Sequence, residues 1–230
     1  TEEAVEHYLQ ALRSNPDYAD VHNNLGLAYG ELGKYKEAIE SCKQAIRINP
    51  DAETHYNLGV VYGGSGKYEE AIESYKQAVR IDPDYALAHY NLGNAYYESG
   101  MHKEALESYK QAVRIDPDYA WAHYNLGNIY YESGMHKEAI ESFKQAIRTD
   151  PDYADAHYNL GSVYVSLGMH KEAVESYKQA VRIDPDYAEA HCSLGAAYVL
   201  LNDRSSALEQ YEILKSLDPE LANKLFNFIP

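Results

Sequence analysis

Residues 116–149 read DPDYAWAHYNLGNIYYESGMHKEAIESFKQAIRT, and the same text returns along the chain with small changes. Its Leu126-Gly127 pair recurs as Leu25-Gly26, Leu58-Gly59, Leu92-Gly93, Leu160-Gly161 and Leu194-Gly195, spaced by 33 residues once and by 34 thereafter. A second column holds Ala38, Ala71, Ala105, Ala139, Ala173 and Ala207; a third holds Pro16, Pro50, Pro83, Pro117, Pro151, Pro185 and Pro219. A period of this length marks a repeat architecture. Apolar residues three and four apart flank a break centred on Gly33, Gly66, Gly100, Gly134 and Gly168, so each unit reads as a pair of helices.

Asp or Asn stands before each proline of that third column, as in Asp116-Pro117-Asp118. This predicts the start of a first helix: an oxygen to cap free amides, a proline suited to the first turn and a carboxylate near the positive helix end. Small residues at Gly127 and Ala139 predict close approach by a bulkier neighbour such as Tyr130 or Phe143. Neither helix buries its apolar stripe alone. Stacked hairpins supply the missing surface, giving an all-α solenoid in which each unit touches mainly its neighbours. At the single 33-residue interval Asp51 runs directly into Ala52, whereas Asp84, Asp118, Asp152 and Asp186 are followed by tyrosine, which predicts a shortened turn near Pro50.

The pattern Leu126-Gly127, Tyr130, Ala139, Phe143, Ala146, Pro151 resembles the tetratricopeptide repeat, and its counterparts cover nearly the whole chain. One departure is that His22, His55, His89, His123, His157 and His191 stand where the family carries tryptophan. The resemblance implies a right-handed superhelix whose first helices line a concave surface. Residues 1–18 supply only a second helix; six repeats follow at 19–51, 52–85, 86–119, 120–153, 154–187 and 188–221, and 222–230 form a short capping segment in which Leu225, Phe226, Phe228 and Ile229 cover the last hairpin. The leading half-unit reads as part of something longer.

Composition fits a soluble folded protein: 45% hydrophobic residues, 24% charged, and no run approaching the roughly 20 apolar residues that cross a bilayer. Residues 1–7 show neither the basic start nor the apolar core of a signal peptide. A net charge of -16 opposes nucleic acid and anionic lipid and favours basic partners. Cys42 and Cys192 lie far apart without metal-ligand spacing, consistent with a reducing cytoplasm.

Nothing reads as catalytic, and no cofactor or metal is expected. The column histidines stand on successive helices about 8 to 10 Å apart, too far to share one ion. His102, His136 and His170 lie near the start of second helices with no second ligand nearby. Gly63-Gly64-Ser65-Gly66-Lys67 falls short of a phosphate loop, because Val61 replaces its first glycine and Tyr68 its magnesium-binding hydroxyl; it reads as a turn.

Two tyrosine columns, exemplified by Tyr130 and Tyr109, match core positions of the family, and Tyr18, Tyr85, Tyr119, Tyr153 and Tyr187 read as packing at repeat junctions. Tyr56, Tyr90, Tyr124, Tyr158, Tyr97 and Tyr131 remain, and helical spacing puts them on one face with Asn57, Asn91, Asn125, Asn159, Asn94 and Asn128. That face also carries Trp121 and the acids Asp20, Glu31, Glu53, Glu98, Glu132, Asp155 and Glu189. Asparagine both donates and accepts, so the row suits the backbone of an extended peptide; equally, the asparagines suit links between neighbouring helices. Chaperone-binding relatives clamp a carboxylate with cations where this chain has Tyr90, Asn91 and Tyr124, while the asparagine row is similar to that of O-linked N-acetylglucosamine transferase. The expected function is a scaffold holding a protein or peptide, preferably a basic one. The alternatives are the targeting arm of a larger enzyme, or self-association through exposed solenoid ends.

Overall fold

The computed structural model describes residues 1–229, which are helical almost throughout. The chain divides into two compact units, the first ending at Pro117 and the second beginning at Asp118. The first unit holds α1 (Glu2–Ser14), α2 (Ala19–Glu31), α3 (Tyr35–Ile48), α4 (Ala52–Gly64), α5 (Tyr68–Ile81), α6 (Ala86–Glu98) and α7 (His102–Ile115). The second holds α8 (Ala120–Glu132), α9 (His136–Thr149), α10 (Ala154–Ser166), α11 (His170–Ile183), α12 (Ala188–Leu200), α13 (Arg204–Leu217) and α14 (Pro219–Phe228). Hairpins pair α2 with α3, α4 with α5 and α6 with α7 in one unit, and α8 with α9, α10 with α11 and α12 with α13 in the other. Within a unit each second helix also packs on the next first helix, as α5 does on α6 and α11 on α12, so the packing is sequential and solenoid-like.

The two helices of a hairpin obey different rules. Second helices are strongly amphipathic; in α9 only Ala139, Ser142, Phe143 and Ala146 are buried, on one stripe spaced three and four apart. First helices are packed on more than one side, and α8 buries Ala122, Leu126, Gly127 and Ile129. In the four hairpins α4–α5, α6–α7, α8–α9 and α10–α11 a ring lies directly on a glycine. A Cβ on Gly127 would lie 2.5 Å from the Phe143 ring, and one on Gly59, Gly93 or Gly161 would lie 2.6 Å from Tyr75, Tyr109 or Tyr177. Of the two neighbours expected for Gly127, Phe143 is therefore the one that fills the space. The hairpins turn on residues such as Gly134, whose φ of +72° suits only glycine well; Asn202, at φ 59°, takes this place in the last hairpin.

The junctions correct one expectation. Asp82, Asp150 and Asp184 do not cap the first helices: their Oδ1 atoms accept from the amides of Asp84, Asp152 and Asp186, at 3.1, 3.2 and 3.1 Å, and so brace the linker. The helix starts only after the following tyrosine, which supplies no side-chain cap. Two junctions differ. In the short linker between α3 and α4, Asp51 takes the cap position itself and accepts from the Thr54 amide at 2.8 Å, in a reciprocal capping box. Asp218 stands directly before α14, whose first residue is Pro219, and accepts from the amides of Glu220 and Leu221. Among the described residues only there do aspartate cap and first-turn proline coincide as expected.

The histidine column holds the same linkers. Nε2 of His22, His89, His157 and His191 lies 2.8, 3.0, 3.1 and 3.0 Å from the carbonyls of Pro16, Pro83, Pro151 and Pro185, where the ring N–H donates. At the short junction Thr54 takes over and donates from Oγ1 to the Asn49 carbonyl.

The last hairpin departs from the ring-on-glycine rule. Leu225 of α14, not Tyr211 of α13, occupies the space over Gly195, while Tyr211 packs on Phe226 with ring centroids 5.1 Å apart. Helix α14 begins at Pro219, before the expected capping segment, and of that segment's apolar residues Leu225 is buried while Phe226 and Phe228 stay half exposed.

Gly127→Leu should overpack against Phe143 at a cost of about 1–3 kcal/mol, with loss of hydrogen-exchange protection confined to neighbouring hairpins; uniform loss of protection along the chain would contradict sequential packing. A second expectation concerns pH. Burial holds His89 and His157 below their ordinary value of 6.5, against the pull of the Pro83 and Pro151 carbonyls, and burial does the same to His55 against Asp51. The unfolded chain therefore takes up these protons first, so their stabilisation is complete above pH 6.5 and is lost as pH falls through the lower folded-state values. Urea midpoints should fall between pH 7.5 and 5.5 more steeply for the parent than for a variant carrying His55→Gln, His89→Gln and His157→Gln; equal slopes would refute the assignment.

Candidate functional site

The six first helices α2, α4, α6, α8, α10 and α12 contain no lysine or arginine. Their acids Asp20, Glu31, Glu53, Glu98, Glu132, Asp155 and Glu189 are all exposed, and Trp121 is 56% exposed at the start of α8. Between these groups and the core lie the tyrosine and asparagine rows. Tyr56, Tyr90, Tyr97, Tyr124, Tyr131 and Tyr158 are half-buried, as are Asn91, Asn94, Asn125, Asn128 and Asn159. Asn57 is different: only 6% exposed, it lies in the interior and offers little to a ligand.

In the first unit the row forms a directed hydrogen-bond relay. Tyr109 Oη donates to Asn94 Oδ1 at 2.7 Å, Asn94 Nδ2 to Asn91 Oδ1 at 3.3 Å, and Asn91 Nδ2 to Tyr56 Oη at 2.8 Å. The relay runs from α7 through α6 to α4. In the second unit Phe143 replaces the tyrosine equivalent to Tyr109 and has no hydroxyl to give Asn128. Asn159 Nδ2 makes up for it, donating to Asn128 Oδ1 at 2.8 Å and to Tyr124 Oη at 3.1 Å, so that α10 is tied to α8. Tyr131 Oη and Ser166 Oγ, 2.9 Å apart, add a further α8–α10 link. Asn91 and Asn159 thus act as struts between successive first helices, with part of their hydrogen-bonding capacity spent inside the protein.

The tyrosines of the face are held from two sides. Tyr56, Tyr90, Tyr124 and Tyr158 tilt against Tyr75, Tyr109, Phe143 and Tyr177, at centroid distances of 5.8, 5.9, 5.9 and 5.6 Å. The linker tyrosines Tyr85, Tyr153 and Tyr187 cover Tyr56, Tyr124 and Tyr158 from outside, at 5.1, 4.9 and 5.2 Å. The repeat columns place these linker residues at junctions but do not show that they lie on the first-helix tyrosines. At the short junction the covering tyrosine is missing, and the covered position is not tyrosine but the buried Asn23. Tyr97 and Tyr131 pack on His102 and His136, the first residues of α7 and α9, at 5.1 and 5.8 Å. Burial pushes the Tyr56 phenol up to about 12 and raises that of Tyr124, so both remain protonated at neutral pH. Tyr187 is raised by burial and by its 2.8 Å bond to Asp155, to which it donates.

Gly63 and Gly64 were expected in a turn; they form the last residues of α4, and the turn begins at Ser65. Among the described residues no cluster of three or more His, Cys, Asp or Glu could hold a metal ion, and no helix is long and apolar enough to cross a membrane. Cys42 is buried with its thiol pushed up to about 12 by that burial, which leaves it unreactive at neutral pH.

Repeated helical hairpins, a ring seated on Gly59, Gly93, Gly127 and Gly161 and first helices without lysine or arginine define a helical repeat protein. The family model described as TPR repeat matches residues 1–33, 64–100, 93–134, 127–168 and 161–202, and the one described as Tetratricopeptide repeat matches 19–51. The chain belongs to the tetratricopeptide repeat family, whose members typically mediate protein–protein interactions; no catalytic family matches. None of the curated proteins matches it. Among solved structures it is similar to MamA, at 31% identity and a TM-score of 0.67 over 72% of this chain and 97% of that one. It is also similar to YrrB, described as a TPR protein with an unusual peptide-binding site, at 26% identity and a TM-score of 0.66, over 81% of this chain and 96% of that one. The C-terminal part of a TPR repeat-containing protein from Cytophaga hutchinsonii shares the fold, with 18% identity and a TM-score of 0.80 over 100% of this chain and 94% of the other.

A thermodynamic cycle on Tyr124→Phe and Asn159→Ala should show a coupling of about 0.5–1.5 kcal/mol in unfolding free energy. Strict additivity of the two changes would remove the strut.

Proposed function

We propose that the first-helix face of each unit binds an extended, basic segment of a partner protein. The observation that carries this reading is the charge segregation: exposed acids, an exposed tryptophan and half-buried tyrosines share a face formed by helices without a single cation. A lysine or arginine of the partner gains Coulomb attraction there and a cation–π contact of about 0.5–2 kcal/mol where it meets a ring. Tyrosine contributes contact area at low entropic cost, the more so here because the linker tyrosines already hold the rings in place. The peptide-binding site described for YrrB supports a peptide as ligand.

Asn91, Asn125 and Asn159 recur every 34 residues on this face. Each amide has four hydrogen-bonding positions, so the strut bonds of Asn91 and Asn159 leave others for a peptide main chain. The same residues then both space the first helices and grasp the ligand, and the acidic rim of Glu98 and Glu132 sets the preference for cationic side chains.

Titration with blocked peptides of equal length, one lysine- and arginine-rich and one glutamate-rich, tests the reading. The basic peptide should bind tighter and weaken as salt is raised; tighter binding of the acidic peptide, or no salt dependence, overturns it. Replacing Asn91, Asn125 and Asn159 together by alanine should weaken the basic peptide at least tenfold. Melting measured on the same variant separates loss of grip from loss of struts: an undiminished affinity in a normally melting variant excludes the asparagines from recognition.

A further inference from the structure

Helix α4 ends in Gly63-Gly64, where α6 and α8 carry Tyr97-Glu98 and Tyr131-Glu132 at the same repeat positions. Neither glycine adopts the left-handed backbone that calls for glycine. Packing does not demand them either: a Cβ on Gly63 would meet nothing nearer than the Tyr75 hydroxyl at 3.8 Å, and one on Gly64 nothing nearer than the Tyr35 ring at 3.5 Å. Glycine is a poor helix former, so two in succession weaken the end of α4 without serving the chain's own conformation. What they leave open is a cavity of about 380 Å³ in the first unit, among α4, α5 and α6.

Its walls are tyrosine rings and small apolar groups: Tyr56, Tyr68 and Tyr75 with Val60. On the α6 side it is polar, lined by Asn91, Asn94 and Glu98. Glu98 is exposed, no lysine or arginine lines the cavity, and among the described residues Glu98 has no ion-pair partner. The lining thus asks for a side chain with an apolar stem and a cationic end.

We propose that this cavity receives an arginine side chain of the bound partner segment, with the guanidinium stacked on the tyrosine rings and paired with Glu98. The proposal rests on the peptide-binding reading above and sharpens it to one pocket. Arginine fits better than its alternatives. Its stem matches the apolar wall, its planar head stacks on aromatic faces and is weakly hydrated, and its paired donors match a carboxylate. Lysine is a strongly hydrated point charge that cannot stack; a neutral aromatic would desolvate Glu98 without pairing it; an acidic side chain would be repelled.

The test uses the full chain, labelled with nitrogen-15, and the blocked peptide Gly-Ser-Arg-Ser-Gly, with citrulline, lysine and glutamate peptides for comparison. The arginine peptide should shift the amides of Gly63, Gly64 and Glu98 and bind at least tenfold tighter than the isosteric but neutral citrulline peptide, with lysine in between. Glu98→Gln should cut arginine-peptide affinity five- to tenfold with an unchanged melting temperature. Gly63→Tyr combined with Gly64→Glu, which introduces the residue types that α6 and α8 carry there, should fill the cavity and abolish the local shifts. Unaltered affinity in Glu98→Gln, or equal binding of arginine and citrulline peptides, overturns the pocket, and the first of these decides even if the double variant does not fold. Shifts at Trp121 and Tyr158 with none at Gly63 and Gly64 overturn the pocket while leaving the wider face as the binding site. Absence of shifts anywhere overturns both.

Discussion

A ring laid on a glycine is the contact around which each regular hairpin is arranged. Gly127 lets Phe143 sit where a Cβ would leave only 2.5 Å, and Gly59, Gly93 and Gly161 do the same for Tyr75, Tyr109 and Tyr177. The interaxial spacing this imposes is set by van der Waals contact, which is steep on both sides. From it follow the burial of the alanines beside the rings and the depth at which the first helices lie. The ends of the chain show the same constraint met by other means: Cys42 covers Gly26, and Leu225 of α14 covers Gly195 in place of the hairpin's own Tyr211.

The same rings govern the polar face on the other side of the first helices. A tyrosine ring carries a hydroxyl to the far side of the glycine, where Tyr109 meets Asn94 and Tyr177 meets Ser162. When the ring is Phe143 that donor disappears, and Asn128 turns its carbonyl oxygen to Asn159 instead. A single difference in the core therefore redirects the half-buried amides, so repeats with nearly identical sequence carry different hydrogen-bond patterns on this face. Buried amides seldom go unpaired, which is why the network rearranges and does not simply lose a bond.

Much of this was legible in residue order alone. The 34-residue period, the glycine breaks and the small-residue columns specify helical hairpins because each feature has a local cause: a period-3.6 stripe, a positive φ or a missing Cβ. The absence of lysine and arginine from the first helices is likewise visible in the sequence. The capping of first helices was misread because Asp-Pro-Asp matches a helix start in composition, while the linker needs its aspartate to brace its own turn. Gly63-Gly64 was misread for a related reason: adjacent glycines signal a turn locally, but hairpin packing carries α4 through them.

The sequence by itself determined the class of fold, the identity of the core columns and the absence of lysine and arginine from the first helices, since all three depend on which residue types recur at helical and repeat spacing. Only the tertiary structure decided which side chains of that face are committed. Asn57 lies buried while its counterparts Asn91 and Asn159 bridge helices, and Tyr56, Tyr124 and Tyr158 are pinned under linker tyrosines. It alone revealed that two helical glycines open a cavity beside Glu98. The physical reason is that hydrogen-bond partners and empty volume belong to pairs of helices brought together from residues some 34 positions apart, and no single helix carries that information in its own sequence.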